Sequence, residues 1–128
     1  MKYPSFHVLL VDDMKIILQK MKMFISNIPY VTRVDTASSA QEAFTFLQTS
    51  NPELVVLDVN MPGTNGIEIL QRIRKSTGHQ PIVIMLTNET GSQFKETCLQ
   101  SGADYYLDKS KDFLKIPIII GELIAKHA

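Results

Sequence analysis

Hydrophobic positions along the chain fall into two alternating kinds of segment. Short continuous runs of Val, Ile and Leu alternate with longer stretches whose apolar residues recur at helical spacing. The first run, Phe6-His7-Val8-Leu9-Leu10-Val11, is continuous rather than two-periodic, which predicts a strand covered on both faces. Met14 to Ile28 follows with Ile17, Leu18, Met21, Phe24, Ile25 and Ile28 on one helical face, and Pro29 stops it. A second strand is predicted over Thr32 to Thr36. A helix is predicted over Ser39 to Gln48, with Ser38 or Ser39 as cap and Glu42 placed for a capping box. Leu54 to Leu57 reads as a third strand, and Gly66 to Lys75, with Ile67, Ile69, Leu70 and Ile73, as a helix. Ile82 to Leu86 is a fourth strand, and Gly91 to Ser101 a helix ended by Gly102. A short fifth strand, Tyr105 to Leu107, precedes a last helix over Phe113 to Lys126.

Strands alternating with helices predict an α/β fold with a parallel sheet, right-handed crossovers and both faces covered. For five such units the leading candidate is a flavodoxin-like, doubly wound five-stranded sheet of order 2-1-3-4-5 with five flanking helices. Ligands of such sheets bind beyond the carboxyl ends of the strands, where the order reverses. The residues at those ends are Asp12-Asp13, Asp58, Thr87-Asn88 and Lys109. Singly, each has an ordinary structural use. Asp12 or Asp13 caps a helix, Asp58 is a loop acid, Thr87 satisfies a backbone group, and Lys109 is solvated. Together, three converging carboxylates repel one another and lose hydration, a cost that a cation relieves. Hard oxygen donors favour Mg²⁺ or a similar ion. A metal, a lysine and a hydroxyl around one carboxylate suit phosphoryl transfer, in which that carboxylate can be the nucleophile.

Composition narrows the classes. The chain has 128 residues, 45% of them hydrophobic, which fits one domain over 1–128 with a core of about 6–125. Thirteen basic residues balance thirteen acidic ones, which argues against DNA or other nucleic acid as the main partner. The single Cys98 excludes an internal disulfide and a Cys-rich zinc site, and is expected to be a half-buried apolar residue. No apolar run approaches a membrane span, and Met1 to His7 lacks the apolar core of a signal peptide, so the expected location is cytoplasmic. His7 and His79 have no metal-like partner in the sequence and receive no role.

At the strand ends the sequence resembles a receiver domain of a bacterial two-component response regulator, of the stand-alone chemotaxis type. The motifs are Asp12-Asp13, Asp58, Met61-Pro62-Gly63 with Gly66, Thr87, Gly102-Ala103-Asp104, Tyr106 and Lys109, in order and at compatible spacing from about Phe6 to Ala125. The resemblance implies that Asp58 accepts a phosphoryl group from a sensor histidine kinase, a phosphotransfer protein of a phosphorelay, or a small acyl phosphate. It implies that Asp13, Asp58 and the carbonyl of Asn60 ligate Mg²⁺, with Asp12 acting largely through a metal-bound water. Lys109 and the Thr87 hydroxyl would bond phosphoryl oxygens. Tyr106 would swing inward and shift a two-state equilibrium on the face of helix four, strand five and helix five. Asn60 and Glu89 would tune the lifetime of the aspartyl phosphate.

Two positions depart from the family pattern. Asn88 replaces a small residue and is expected to narrow access to Asp58 or add a hydrogen bond. Ser110 replaces the proline that commonly follows the lysine in a cis bond, so either the site supports a strained Lys109-Ser110 peptide or the loop differs.

The last helix is expected to bury Phe113, Ile116, Ile120, Leu123 and Ile124, with Ile119 on the flank and Ile118 opposite, as a stray apolar residue or part of a partner surface. The implied function is a phosphorylation-driven switch, not an enzyme, signalling as a monomer or a phosphorylation-promoted dimer to an unidentified downstream protein. The alternative is a receiver-like adaptor that works without phosphorylation. An aspartate-based phosphohydrolase needs a second acid where Asn60 stands and a larger cap. A flavin carrier needs a hydroxyl-rich phosphate loop where the two aspartates stand.

Overall fold

Strand order decides where a parallel sheet opens its binding edge, and here it reverses beside the first strand. The structure, a computed structural model, describes residues 5–59, 61, 66–88 and 92–127, the side chains of 92–94 and 127 excepted. Among them run β1 (Phe6–Val11), α1 (Lys15–Ser26), β2 (Val31–Ala37), α2 (Ala40–Thr49), β3 (Leu54–Asp58), α3 (Gly66–Lys75), β4 (Ile82–Thr87), α4 (Ser92–Gln100), β5 (Tyr105–Asp108) and α5 (Lys115–His127). The strands pair in parallel in the order β2-β1-β3-β4-β5, the flavodoxin-like arrangement expected.

Alternation along the strands divides the core into two layers. Val8, Leu10, Leu54, Val56, Ile84, Leu86 and Leu107 face α1 and α5, where Leu18, Met21, Ile25, Ile116 and Ile120 cover them. Leu9, Val11, Val55, Leu57, Val83 and Met85 face the other helices, meeting Ala43, Ile69, Leu70, Ile73 and Cys98. This two-sided burial is why β1, β3 and β4 read as unbroken apolar runs. Each such side chain contributes about 1.5–3 kcal/mol when fully buried. At the edge, β2 exposes Thr32 and Arg33, which explains its modest hydrophobicity.

Several expectations change in detail. Helix α1 ends at Ser26 with Asn27 as its cap, short of Ile28. The chain then turns through Tyr30 at φ 73° before Val31 enters the sheet. Ser39 caps α2 by accepting from the Glu42 amide, while the Glu42 carboxylate reaches back to Ser38 rather than to the cap residue itself. Helix α4 ends in a Schellman turn, Gly102 N to Leu99 O and Ala103 N to Cys98 O, with Gly102 at φ +109°. Gly91 lies outside the described residues. Helix α5 starts at Lys115, because Phe113 belongs to the preceding turn and meets Phe24 edge-on at 5.6 Å between ring centroids. Ile119 is not on an open flank but 8% exposed, since a helix lying across a twisted sheet buries a broad stripe. Ile118 is 63% exposed, as expected. Cys98 is wholly buried rather than half-buried, and burial pushes its thiol up.

His7 has structural partners: its Nε2 lies 2.8 Å from Asp35 Oδ2, which Arg33 Nε also contacts at 2.7 Å. Arg74 of α3 donates to Gly102 O, Pro81 O and Asp104 Oδ2, tying α3 to the start of β4 and the turn before β5.

Candidate functional site

Parallel strands deliver their carboxyl ends to one edge, and adjacency sets which ends meet. β1 and β3 are neighbours, so Asp12 and Asp58 face each other there. The ladder continues through Asp12, whose amide donates to Ala37 O at 3.1 Å. Alternation turns Asp12 and Asp58 to the α1 and α5 side, in phase with Leu10 and Val56. Thr87 and Tyr106 are in phase with Met85, on the opposite side. Asp12, Asp58 and Thr87 are all buried, whereas Asp13 is exposed. Carboxylate oxygens of Asp12, Asp13 and Asp58 lie within 4.8 Å of one another, a cluster able to hold a metal ion.

Lys109 closes this cluster. Its backbone amide donates to Thr87 O at 2.8 Å, which anchors the residue over the end of β4. Its ammonium then lies 2.7 Å from Asp12 Oδ2 and 3.4 Å from Asp58 Oδ2, with only 13% of the side chain exposed. Burial alone pushes this ammonium down; the contact with Asp12 and the charge of Asp58 outweigh it and hold the group above its ordinary range. Lys109 is therefore not the solvated lysine of the ordinary reading.

Asp12 serves two purposes. Its Oδ1 accepts from the Met14 amide at 2.9 Å in the turn that leads into α1, but Met14 is the N-cap and no side chain caps the helix, so neither Asp12 nor Asp13 is the cap. Its Oδ2 is buried and lies 2.7 Å from the Lys109 ammonium, a charge contact, with no further partner among the described residues. A buried carboxylate oxygen with spare lone pairs, in an all-oxygen donor set, fits a hard cation such as Mg²⁺.

Gly66 makes the acceptor loop possible. A Cβ there would come within 2.4 Å of the Asp58 carbonyl oxygen, and the Gly66 amide donates to Val59 O at 2.8 Å. No side chain allows α3 to start so close to the backbone that carries Asp58. Asn60, Glu89, Pro62 and Gly63 lie outside the described residues.

The family model of the response regulator receiver domain matches residues 8–120. The chain belongs to that family. It is a receiver domain of two-component signalling. Over 127 residues it is 34% identical to the nitrate/nitrite response regulator protein NarL of Escherichia coli K12, covering 94% of this chain and 58% of that protein. It is 33% identical over 103 residues to the response regulator UvrY of the same strain, covering 80% and 47%. A crystal structure of a two-component response regulator of the LuxR family from Aurantimonas sp. SI85-9A1 matches with a TM-score of 0.85 at 30% identity, over 95% of this chain and 86% of that one. The chain thus spans about half the length of these curated relatives. No helix among the described residues is long and apolar enough to cross a membrane.

The two departures from the receiver pattern resolve differently. Asn88 is exposed and lines a groove with Ile17, Phe24, Lys109, Ser110 and Phe113 beside the site. At Ser110 the loop differs: the Lys109-Ser110 peptide is trans, as are all the described peptides. Asp108, which drew no attention in the sequence, accepts from Ser110 N, Ser110 Oγ and Lys111 N at 2.8, 2.7 and 2.9 Å. The signal that would have revealed it is Asp-x-Ser at the end of a strand, the spacing of an Asx turn.

Proposed function

We propose that this receiver domain is a phosphorylation-activated switch whose acceptor is Asp58. The observation that carries this reading is the Lys109 ammonium held against both Asp12 and Asp58, with Asp13 completing the acidic cluster. A carboxylate oxygen of Asp58 attacks the phosphorus of a phosphohistidine on a sensor kinase or phosphotransfer protein, or of an acyl phosphate. The bond from phosphorus to the leaving imidazole nitrogen, or to the acyl oxygen, breaks as the aspartyl phosphate forms. Asp13 and Asp58, with the carbonyl of Asn60, would hold Mg²⁺ directly, and Asp12 would hold it through water. When bound, that ion neutralises charge on the phosphoryl oxygens. Lys109 exchanges its carboxylate contacts for a phosphoryl oxygen and so draws compensation from charge already in place. The Thr87 hydroxyl takes another oxygen. Because Lys109 N is bonded to Thr87 O, movement at either residue reaches the other.

Tyr106, half-buried against the layer that holds Met85, then moves inward and biases the α4, β5 and α5 face towards a downstream protein. Asn60 and Glu89 orient the water that attacks the phosphorus and restores the Asp58 carboxylate. Replacing both without changing the half-life of the phosphoryl group would remove them from that role. The chain acts as one receiver unit over 1–128 in the cytoplasm, with protein partners rather than DNA.

The test is intact-protein mass spectrometry after incubation with acetyl phosphate or phosphoramidate, with and without Mg²⁺, on the parent chain and on Asp58→Ala. The expected result is a Mg²⁺-dependent gain of one phosphoryl group that the variant loses. No gain with either donor would favour the phosphorylation-independent adaptor.

A further inference from the structure

Five consecutive amides after the core of β5 are all committed. Asp108 N donates to Asp112 Oδ2 at 2.9 Å, and Lys109 N to Thr87 O at 2.8 Å. Ser110 N and Lys111 N both donate to Asp108 Oδ1, and Asp112 N donates to Asp108 O at 2.9 Å. The Ser110 hydroxyl adds a third bond to the same Asp108 oxygen at 2.7 Å. One carboxylate therefore binds the two residues that follow Lys109, while the carbonyl of the same aspartate binds the next. Ser110 and Lys111 are exposed, so beyond the anchor of Lys109 N on Thr87 O no buried side chain of these two residues holds the turn. Without Asp108 those amides would pair with water, and each residue released regains about 1–2 kcal/mol of conformational freedom.

We propose that Asp108 is a positioning residue for Lys109. Its carboxylate rigidifies the trans turn from which the Lys109 ammonium reaches Asp12 and Asp58, the service that a proline after the lysine would perform covalently. This rests on the phosphoryl-transfer reading given above. Asp108 touches neither the metal cluster nor the phosphoryl group. It acts through the backbone on each side of Lys109, and the bonds from Ser110 and Lys111 hold its carboxyl below the usual carboxylate range, charged at neutral pH. A displaced ammonium loses much of its effect on a developing phosphoryl charge, since misplacement by about 1 Å can cost about 100-fold in rate.

The experiment follows phosphorylation of the full chain by phosphoramidate, using intact mass at saturating donor across a Mg²⁺ titration. It compares the parent with Asp108→Ala, Asp108→Asn and Ser110→Ala, and records melting curves for each. Asp108→Ala is expected to slow the saturated rate by about 10- to 100-fold. Half-saturating Mg²⁺ stays within about twofold of the parent, because Lys109 is no ligand of the cation. Asp108→Asn keeps an oxygen in the same place and restores the rate to within about threefold. Ser110→Ala removes one of three donors and slows the rate about two- to threefold, which keeps the test alive if Asp108→Ala does not fold.

An Asp108→Ala variant that reacts at the parental rate would overturn the proposal. So would a loss that tracks weakened Mg²⁺ binding, or one that asparagine does not rescue. A parent chain that takes no phosphoryl group would instead overturn the reading beneath it, and the two failures are distinct.

Discussion

Lys109 and Asp12 are joined by an ion pair of 2.7 Å, shorter than the 3.4 Å between the same ammonium and Asp58 Oδ2. The lysine therefore compensates two buried carboxylates at once. Lys109→Met would leave both facing each other, and removing one partner of a buried pair is strongly destabilising. A loss of about 3 kcal/mol is expected in chelator, partly recovered on adding Mg²⁺. Urea titrations with and without the ion would measure it. Unchanged stability in chelator would show that the pair is screened by water.

Asp13 acts in the opposite direction. It is exposed and adds a third negative charge to the cluster, so Asp13→Asn relieves repulsion in the metal-free protein. The variant should melt higher than the parent in chelator, and the rise that Mg²⁺ produces in the parent should vanish. A Mg²⁺-dependent melting shift that survives in Asp13→Asn would take this residue out of the ligand set.

Gly66→Ala tests the approach of α3 to the acceptor strand. With backbone rather than a flexible side chain 2.4 Å from the added carbon, α3 or the Asp58 carbonyl must move. Overpacking of this kind costs about 1–3 kcal/mol, here against alanine's better helix propensity. The variant should be less stable than the parent and label more slowly at Asp58; a more stable variant would contradict the geometry.

Two adjacent isoleucines on α5 should respond in opposite ways. Ile118→Asp is expected to stay within about 0.5 kcal/mol of the parent, spare phosphorylation and weaken binding to a downstream partner. Ile119→Asp buries a charge beside Ile116 and Leu123 and should unfold the domain at room temperature. Circular dichroism separates the two outcomes, and an unfolded Ile118→Asp would place that side chain in the core.

Acid sensitivity has its source in the turn after β5. Asp108 is held below the usual carboxylate range by Ser110 and Lys111, and Asp112 by the Asp108 amide and by Lys115. Depressed folded-state values mean that their stabilisation is complete above about pH 4, the ordinary aspartate value, and is lost as pH falls through the folded values. Asp108→Asn does not titrate. The melting temperature of the parent should exceed that of the variant at pH 6, and the gap should narrow as pH falls below the ordinary aspartate value of about 4. A gap independent of pH would show that the carboxylate charge contributes nothing.

The sequence by itself determined the order of elements and the edge where chemistry collects. Strand and helix periods are local, so Phe6–Val11, Leu54–Leu57 and Ile82–Leu86 announce themselves as buried strands, each within the observed bounds, and parallel pairing then puts Asp12, Asp58, Thr87 and Lys109 at one end. A serine cap at Ser38 or Ser39, of which the structure uses Ser39, the Gly102 stop and the exposure of Ile118 were legible for the same reason.

Tertiary structure alone decided distances between residues far apart in the chain. Lys109 reaches Asp12 and Asp58, at the ends of strands far from it in the chain, at 2.7 and 3.4 Å. Ile119 is buried because it joins Ile116, Ile120 and Leu123 in the core layer that α5 covers. Gly66 is needed because α3 begins against the Asp58 carbonyl. Each depends on where two surfaces meet, and a periodic pattern along the chain carries the face a residue points to but not the distance to what it meets there.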